Sequence, residues 1–361
     1  MVAPLRTGII GFGLSGRVFH APFLSTNPDF TLTVIATSDA TRRAQAASSY
    51  PAADIVGTPQ ELLARADQLD LIVLASPAHT HLALGEAALQ AGAAVVVDKP
   101  FGTSVAEAQA LIDAAETAKR PLIVFQNRRW DGDFRTVKRL IDEATLGRVL
   151  RFESTFERWA GPRRERWQDT MTAAQGAGIT FDIGSHLIDQ ALQLFGPVSQ
   201  LHAELRVGRP GGVSEDDAFV SLLHESGVRS HLTMSSVAAL SGPRFRVLGT
   251  KGAYSVDGLD GQESALKAGG SPTDPSYGIT EADAWGRLSL EQGAPGHQGP
   301  TGQPKPALTT MRLPTERGDY PGFYAAVAAA VREEGPSPVD PREALEVVRI
   351  IERIHRDFPI S

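Results

Sequence analysis

The chain has 361 residues, of which 42% are hydrophobic and 21% charged; its net charge is -7 and it has no cysteine. At roughly 150 residues per domain this length favours two domains, and the composition is that of a folded enzyme, not a disordered chain. The acidic balance argues against a nucleic-acid surface, and the lack of cysteine excludes disulfides, thiolate nucleophiles and thiolate-held metals.

The N-terminal "MVAPLRTGIIGFG" lacks a charged leader and a long apolar region, so no signal peptide is expected. No run reaches the length of a membrane span. A cytoplasmic location is expected, with no membrane or nucleic-acid partner. The short basic runs "NRRW" and "GPRRERW" read as solvated loop charge.

From residue 6 to 120, short apolar runs alternate with helical stretches. "RTGIIG", "LTVIAT", "LDLIVLAS", "AAVVVDK" and "RPLIVFQ" are rich in β-branched residues and suit buried parallel strands. Between them lie Ala/Glu/Leu-rich segments, one opening with a Ser104-x-x-Glu107 capping box. This alternation predicts a doubly wound Rossmann sheet over residues 1–124. Residues 125–361 read as a C-terminal α/β domain with a large open, mostly antiparallel sheet. There "DFRTVKRLIDEATLG" is an amphipathic helix ended by Gly147, and "RVLRFESTFERW" alternates like a strand. "FDIGSHLIDQALQLFGP" is a helix stopped by Gly196-Pro197. Further strands follow, the last pair a hairpin around "GTKG". Residues 257–306 are Gly/Pro-rich and read as a long loop. A final amphipathic helix over about 341–357 is placed to pack back on the N-terminal domain.

The first chemical motif is Gly11-x-Gly13-x-x-Gly16, after an apolar strand and before a helix. Gly11 permits the tight turn, Gly13 lets backbone amides approach a pyrophosphate, and Gly16 allows close helix–strand contact. Phe12, Leu14 and Ser15 share the turn and are assigned to the cofactor with it. Pro22 is expected to shorten or kink the helix that follows. At the end of the second strand, Asp39 is expected to accept hydrogen bonds from a ribose and so to favour NAD. Ser38, Arg42 and Arg43 offer the opposite reading, a bidentate grip on the 2′-phosphate of NADP. "ASPAHTHLALG" places Ser76, Pro77, His79 and His81 at the cofactor crevice. The two histidines read as helix-start packing beside the nicotinamide, not as metal ligands.

Lys99 closes a buried strand in "AAVVVDKPFG". Burying a lysine needs a partner, and a substrate hydroxyl in the crevice can supply one; the alternative is a surface lysine before a turn. In "FDIGSHLIDQ", Asp182, His186 and Asp189 share one helical face. The spacing alone permits a metal site, proton transfer, or helix capping and padding.

"GIIGFGLSG", "VVVDKPFG" and "FDIGSHLIDQ", in this order and over nearly the whole chain, resemble the Gfo/Idh/MocA oxidoreductases. "NRRWDGDFRTVKRLI", "SHLIDQALQLFG" and "GPRFRVLGTKGAYSVDGLDGQESALKAG" are similar to a subgroup that includes NADP-dependent scyllo-inositol 2-dehydrogenases. The resemblance implies an active site between two domains and a sheet face that mediates oligomers, dimer or tetramer. It assigns the family's catalytic lysine to Lys99, in a Lys-Pro peptide that is often cis, and its Asp and His to Asp182 and His186. Asp98 stands where the family has Glu, Ala78 where many members have Asn, and Ala177 interrupts the usual glycine run.

The expected reaction is reversible oxidation of a secondary hydroxyl on a cyclic polyol or sugar, with NAD or NADP as hydride acceptor and no metal. His186, with an ordinary pKa of about 6.5, is the general base. Asp182 orients His186 or grips a neighbouring hydroxyl, and Lys99 stabilises the developing alkoxide. Asn127, Arg128, Trp130, Trp159 and Asp189 are candidates for the pocket wall. The competing readings are an anhydro- or keto-sugar reductase, a non-catalytic dinucleotide-binding regulator, and a metal-dependent hydrolase.

Overall fold

In the computed structural model, which describes residues 3–163, 171–298 and 304–361, the chain builds two sheets. The first contains β1 (Leu5–Ile10), β2 (Phe30–Ala36), β3 (Asp54–Val56), β4 (Leu71–Leu74), β5 (Ala94–Asp98) and β6 (Leu122–Phe125). Their order is β3-β2-β1-β4-β5-β6, and every pairing is parallel. β4, β5 and β6 are buried along their whole length. Strands covered on both faces by helices have no solvent side, so their sequences run apolar without alternation. The covering helices are α1 (Ala21–Thr26), α2 (Ala40–Ser49), α3 (Pro59–Leu63), α4 (His81–Gln90) and α5 (Val105–Ala118). The order reverses between β1 and β4, which opens a crevice at their C-terminal ends.

After α6 (Gly132–Asp142), the second sheet is laid down from β7 (Val149–Glu157), β8 (Val198–Arg206), β9 (Asp217–His224), β10 (Arg229–Ser235), β11 (Phe245–Gly249), β12 (Gly252–Val256), β13 (Gly286–Gln298) and β14 (Pro304–Leu313). Its order is β14-β13-β12-β11-β7-β10-β9-β8. Only β7 and β10 pair in parallel; the other neighbours are antiparallel. β9 alternates strictly between half-buried and buried positions, the signature of a sheet packed on one face. Against that face lies α7 (Ser185–Phe195), whose Leu187, Ile188 and Ala191 join Phe152, Val220 and Leu232 in one apolar core.

Three elements differ from the expected pattern. Residues 257–306 are not a featureless loop: they hold α8 (Gln262–Lys267) and the whole of β13. β13 is stabilised by pairing with β12 and β14, contacts that a local reading of its glycines and prolines does not contain. The stretch opening with Thr180 begins as a π-helical turn (Thr180–Gly184) before tightening into α7. The glycine turn likewise leads into a π-helical turn (Ser15–His20), and α1 starts again with Pro22 in its first turn, where a missing N–H has no intrahelical partner to lose.

The end of the chain ties the halves together. In α9 (Tyr320–Val331), Tyr320, Phe323 and Tyr324 pack into the first core beside Phe23 and Phe125. In α10 (Pro341–Asp357), Leu345 and Val348 belong to the first core, while Val347, Ile350, Ile351 and Ile354 belong to the second. One amphipathic helix thus lends its apolar stripe to both. No described helix is long and apolar enough to cross a membrane.

Candidate active site

A cavity of about 800 Å³ opens at the crevice and runs between the two sheets. Its cofactor end is made by the glycine turn. Gly11 has φ 102°, and a Cβ there would lie 2.4 Å from the carbonyl oxygen of Ala75. A Cβ on Gly16 would sit 2.0 Å from the carbonyl oxygen of Gly11. Neither position admits a side chain. Gly13 is different: nothing lies nearer to its Cβ position than Arg42 Nη1 at 3.9 Å, so its bare backbone faces the cavity. Two glycines demanded by packing and one that keeps space open are what close approach of a pyrophosphate requires. Phe12, Leu14, Ser15, Ser38, Arg42, Ser76 and Pro77 line the same cavity.

Asp39, Arg43, His79 and His81 do not line it. Asp39 caps α2: its Oδ1 accepts from the Arg42 N–H at 2.8 Å. An N-cap aspartate satisfies an orphan helix donor, and that demand accounts for the residue without a ribose. His79 is exposed. His81 is buried, and its Nε2 meets the carbonyl oxygen of Ser76 at 2.9 Å, so it braces the crevice from behind; burial first of all holds its imidazole below the ordinary value. No cluster of three or more metal-ligating side chains exists among the described residues.

At the other end of the cavity, Lys99 follows β5 in a cis Lys99–Pro100 peptide. Its Nζ donates to the Asp182 carbonyl oxygen at 2.6 Å and to Asp182 Oδ1 at 3.0 Å. Arg158 Nη2 donates to Asp182 Oδ2 at 3.2 Å. Burial opposes ionisation of Asp182, but Lys99 and then Arg158 outweigh it and hold the carboxyl well below the usual range. Asp182 therefore grips the lysine; no hydrogen bond joins it to His186, and the expected orienting pair is replaced by a Lys99–Asp182–Arg158 bridge. Beneath Lys99, Asp98 Oδ1 accepts its backbone N–H at 2.8 Å.

His186 is 4% exposed and lines the cavity beside Lys99 and Asp182. Its Nδ1 has no hydrogen-bond partner among the described residues. Burial first, then the positive charges of Lys99, Arg128 and Arg244, hold its imidazole well below 6.5. His186 is thus neutral at neutral pH.

The remaining candidates separate. Asn127 and Arg128 line the cavity, whereas Trp130, Trp159 and Asp189 do not. Trp130 packs edge-on against Phe323, and Trp159 is 68% exposed. Asp189 is buried and accepts from Arg129 Nε at 2.8 Å and Nη2 at 2.6 Å. The bidentate arginine takes both its oxygens away from any substrate. The run "NRRW" is not solvated charge: Arg128 and Arg129 are largely enclosed, Arg128 held by Asp131 at 3.1 Å and Glu263 at 2.7 Å. Of "GPRRERW", residues 164–167 lie outside the described part of the structure.

Phe156, Arg158, Ile183, Glu263 and Lys267 line the cavity without having been singled out in the sequence. Period-two alternation in β7 held a usable signal for two of them. It puts Phe152, Ser154 and Phe156 on the buried face, and the next position of that parity is Arg158. Glu263 and Lys267 sit on α8, inside the supposed loop.

Known proteins share the family and the fold of this chain. Residues 5–126 match the model of an oxidoreductase family with an NAD-binding Rossmann fold, and residues 134–255 match the Gfo/Idh/MocA C-terminal domain. The chain is 36% identical to the Escherichia coli oxidoreductase YdgJ, over 96% of this chain and 94% of the relative. It is 31% identical to the Bacillus subtilis scyllo-inositol 2-dehydrogenase (NADP(+)) IolW, over 97% and 93%. The solved structure of the Bacillus subtilis oxidoreductase yvaA superposes with a TM-score of 0.89 at 30% identity, covering 99% of this chain and 97% of that one. The chain is a member of the Gfo/Idh/MocA oxidoreductases, with an NAD(P)-binding Rossmann domain and a mixed-sheet C-terminal domain.

Proposed function

We propose that the protein is an NADP(H)-dependent dehydrogenase that oxidises a secondary hydroxyl of a cyclic polyol or sugar, reversibly, with His186 as general base and Lys99 as alkoxide stabiliser. The observation that carries this reading is the presence of Lys99 and His186 in the wall of the same cavity as the glycine turn. The bound nicotinamide supplies the hydride acceptor.

Lys99 has three N–H donors, two of them used on Asp182. The third is available to a substrate oxygen, and the bridge through Asp182 keeps the ammonium from swinging away. Its charge favours the alkoxide that develops as hydride leaves. His186, neutral and in the cavity wall beside Lys99, accepts the hydroxyl proton. The imidazolium so formed is disfavoured by burial and by Lys99, Arg128 and Arg244. The inositol- and apiose-oxidising names among the relatives support a polyhydroxylated substrate.

The cofactor preference rests on Arg42. Asp39 spends one carboxylate oxygen on the helix cap and does not line the cavity, which weakens it as the acidic ribose reader that would favour NAD. Arg42 lines the cavity beside Ser38 and Thr37, and a guanidinium there suits a 2′-phosphate. A turnover screen of cyclic polyols and keto-sugars with NADP and NAD tests the whole reading. No turnover of any polyol or keto-sugar with either nucleotide, or wild-type turnover by a Lys99→Ala, His186→Ala double variant, would overturn it.

A further inference from the structure

The stretch "LDGQESALKAG" contains a six-residue helix, α8, that is anchored far more firmly than its length explains. Asp260 Oδ2 accepts the Gly132 N–H at 2.9 Å, and its Oδ1 accepts both the backbone and side-chain N–H of Gln262 at 2.9 and 3.0 Å. Gln262, fully buried, donates to the Trp130 carbonyl at 3.1 Å and accepts the Tyr320 N–H at 2.9 Å. These bonds pin α8 against the helical turn Ser15–His20 that follows the glycine motif.

What α8 then presents to the cavity is Glu263 and, one turn on, Lys267. Glu263 Oε2 accepts from Arg128 at 2.7 Å, and its Oε1 accepts from Lys267 Nζ at 2.5 Å. Burial works against the Glu263 carboxylate, but Arg128 and Lys267 outweigh it, and it is held below the usual range. Glu263 is therefore a fixed anionic post with Arg128 on one side and Lys267 on the other.

Among the described residues, five cations line the cavity. Lys99 and Arg158 are committed to Asp182, and Arg128 to Asp131 and Glu263. Arg42 stands between the ribose end and the glycine turn, its Nη1 3.9 Å from the Cβ position of Gly13. Lys267 is the one carried by the helix packed on the glycine turn, and its side chain is 46% exposed. The turn offers a doubly charged pyrophosphate its backbone amides and the Ser15 hydroxyl, but no residue from Gly11 to Gly16 carries a cation. Lys267 is the more exposed partner of its (i, i+4) pair with Glu263, so its remaining N–H donors are open to an incoming anion.

We propose that Lys267 is a cofactor-binding residue, an ammonium supplied by the C-terminal half of the chain to the pyrophosphate held by the glycine turn. Glu263 is the positioning residue that aims it. The cofactor is then gripped from both halves of the chain. This inference rests on the cavity being the dinucleotide site.

The test is equilibrium binding to the full-length protein, independent of turnover: NADPH by fluorescence, with ADP-ribose and AMP as displacing fragments. Lys267→Gln is expected to weaken NADPH and ADP-ribose by about tenfold and AMP by less than about twofold, because AMP has no pyrophosphate. Lys267→Arg is expected to stay within about threefold of wild type, and the salt dependence of NADPH binding to become shallower in the Gln variant. Equal Kd values in wild type and Lys267→Gln would overturn the proposal, as would equal losses for AMP and ADP-ribose. A wild-type protein that binds neither dinucleotide nor ADP-ribose would instead bring down the cofactor reading, and this inference with it.

Discussion

Lys99 and Asp182, 83 residues apart in the chain, are joined twice: Lys99 Nζ donates to the carbonyl oxygen and to the carboxylate of the same aspartate. The first contact ties the lysine to the backbone of the π-helical turn, and the second supplies the counter-charge. If the lysine stabilises the alkoxide, Lys99→Met lowers kcat by about 10²–10³-fold while the Kd for NADPH changes by less than about threefold. Asp182→Asn keeps the carbonyl contact and removes the charge, so a smaller loss is expected, about tenfold. Steady-state kinetics paired with cofactor titration checks both.

His186 sets the pH dependence. A general base works in its unprotonated form, so activity is lost as pH falls through its pKa. Burial and three neighbouring cations hold that pKa well below 6.5, which places the acid limb of kcat/KM for oxidation below pH 6.5 and leaves the profile level through neutrality. Lys99→Met removes one of the cations, so the His186 pKa rises in that variant; burial still keeps it below the ordinary value. NMR titration of the imidazole, which needs no turnover, measures the shift.

Asp39 and Arg42 are adjacent to the same crevice but predict opposite phenotypes. Asp39→Ala removes the N-cap of α2 and is expected to cost about 1 kcal/mol of stability, with the ratio of NADPH to NADH affinity unchanged. Arg42→Ala leaves stability nearly unchanged and weakens NADPH by about tenfold with little effect on NADH. Thermal melts and paired cofactor titrations separate the two.

Asp189 and Arg129 form a buried pair with 3% and 10% of their side chains exposed. Asp189→Ala leaves a mostly enclosed guanidinium whose remaining partner, Glu343, lies at the surface. The expected loss is about 3 kcal/mol of stability. In the folded fraction, KM for substrate stays within about twofold of wild type. Chemical denaturation and kinetics below the transition check the two halves; a large KM change with full stability would return Asp189 to the substrate wall.

The first sheet was legible because its signals are local. Short β-branched runs, capped helices and a glycine turn each carry their own structural requirement. Ser104, for example, accepts the Glu107 N–H at 3.2 Å, as its spacing implies, although the Glu107 carboxylate turns to Thr103 and does not close the box. β13 was not legible, because a strand broken by glycine and proline is held by its neighbours' hydrogen bonds and not by its own preference. Arg129 was misread for a related reason: a charge run looks solvated until buried carboxylates from distant segments are brought to it.

By itself the sequence determined the Rossmann half and the three glycines, because residue type and spacing along one element dictate those features; Lys99, Asp182 and His186 were singled out by family resemblance, since their spacing alone left several roles open. Only the tertiary structure decided their partners. Asp182 and Asp189 occupy the same helical stretch, yet Asp182 meets Lys99 and Arg158 in the cavity while Asp189 is sealed against Arg129. A carboxylate's role follows from the cation that reaches it and the water that does not, and both are set by segments that meet only when the chain has folded.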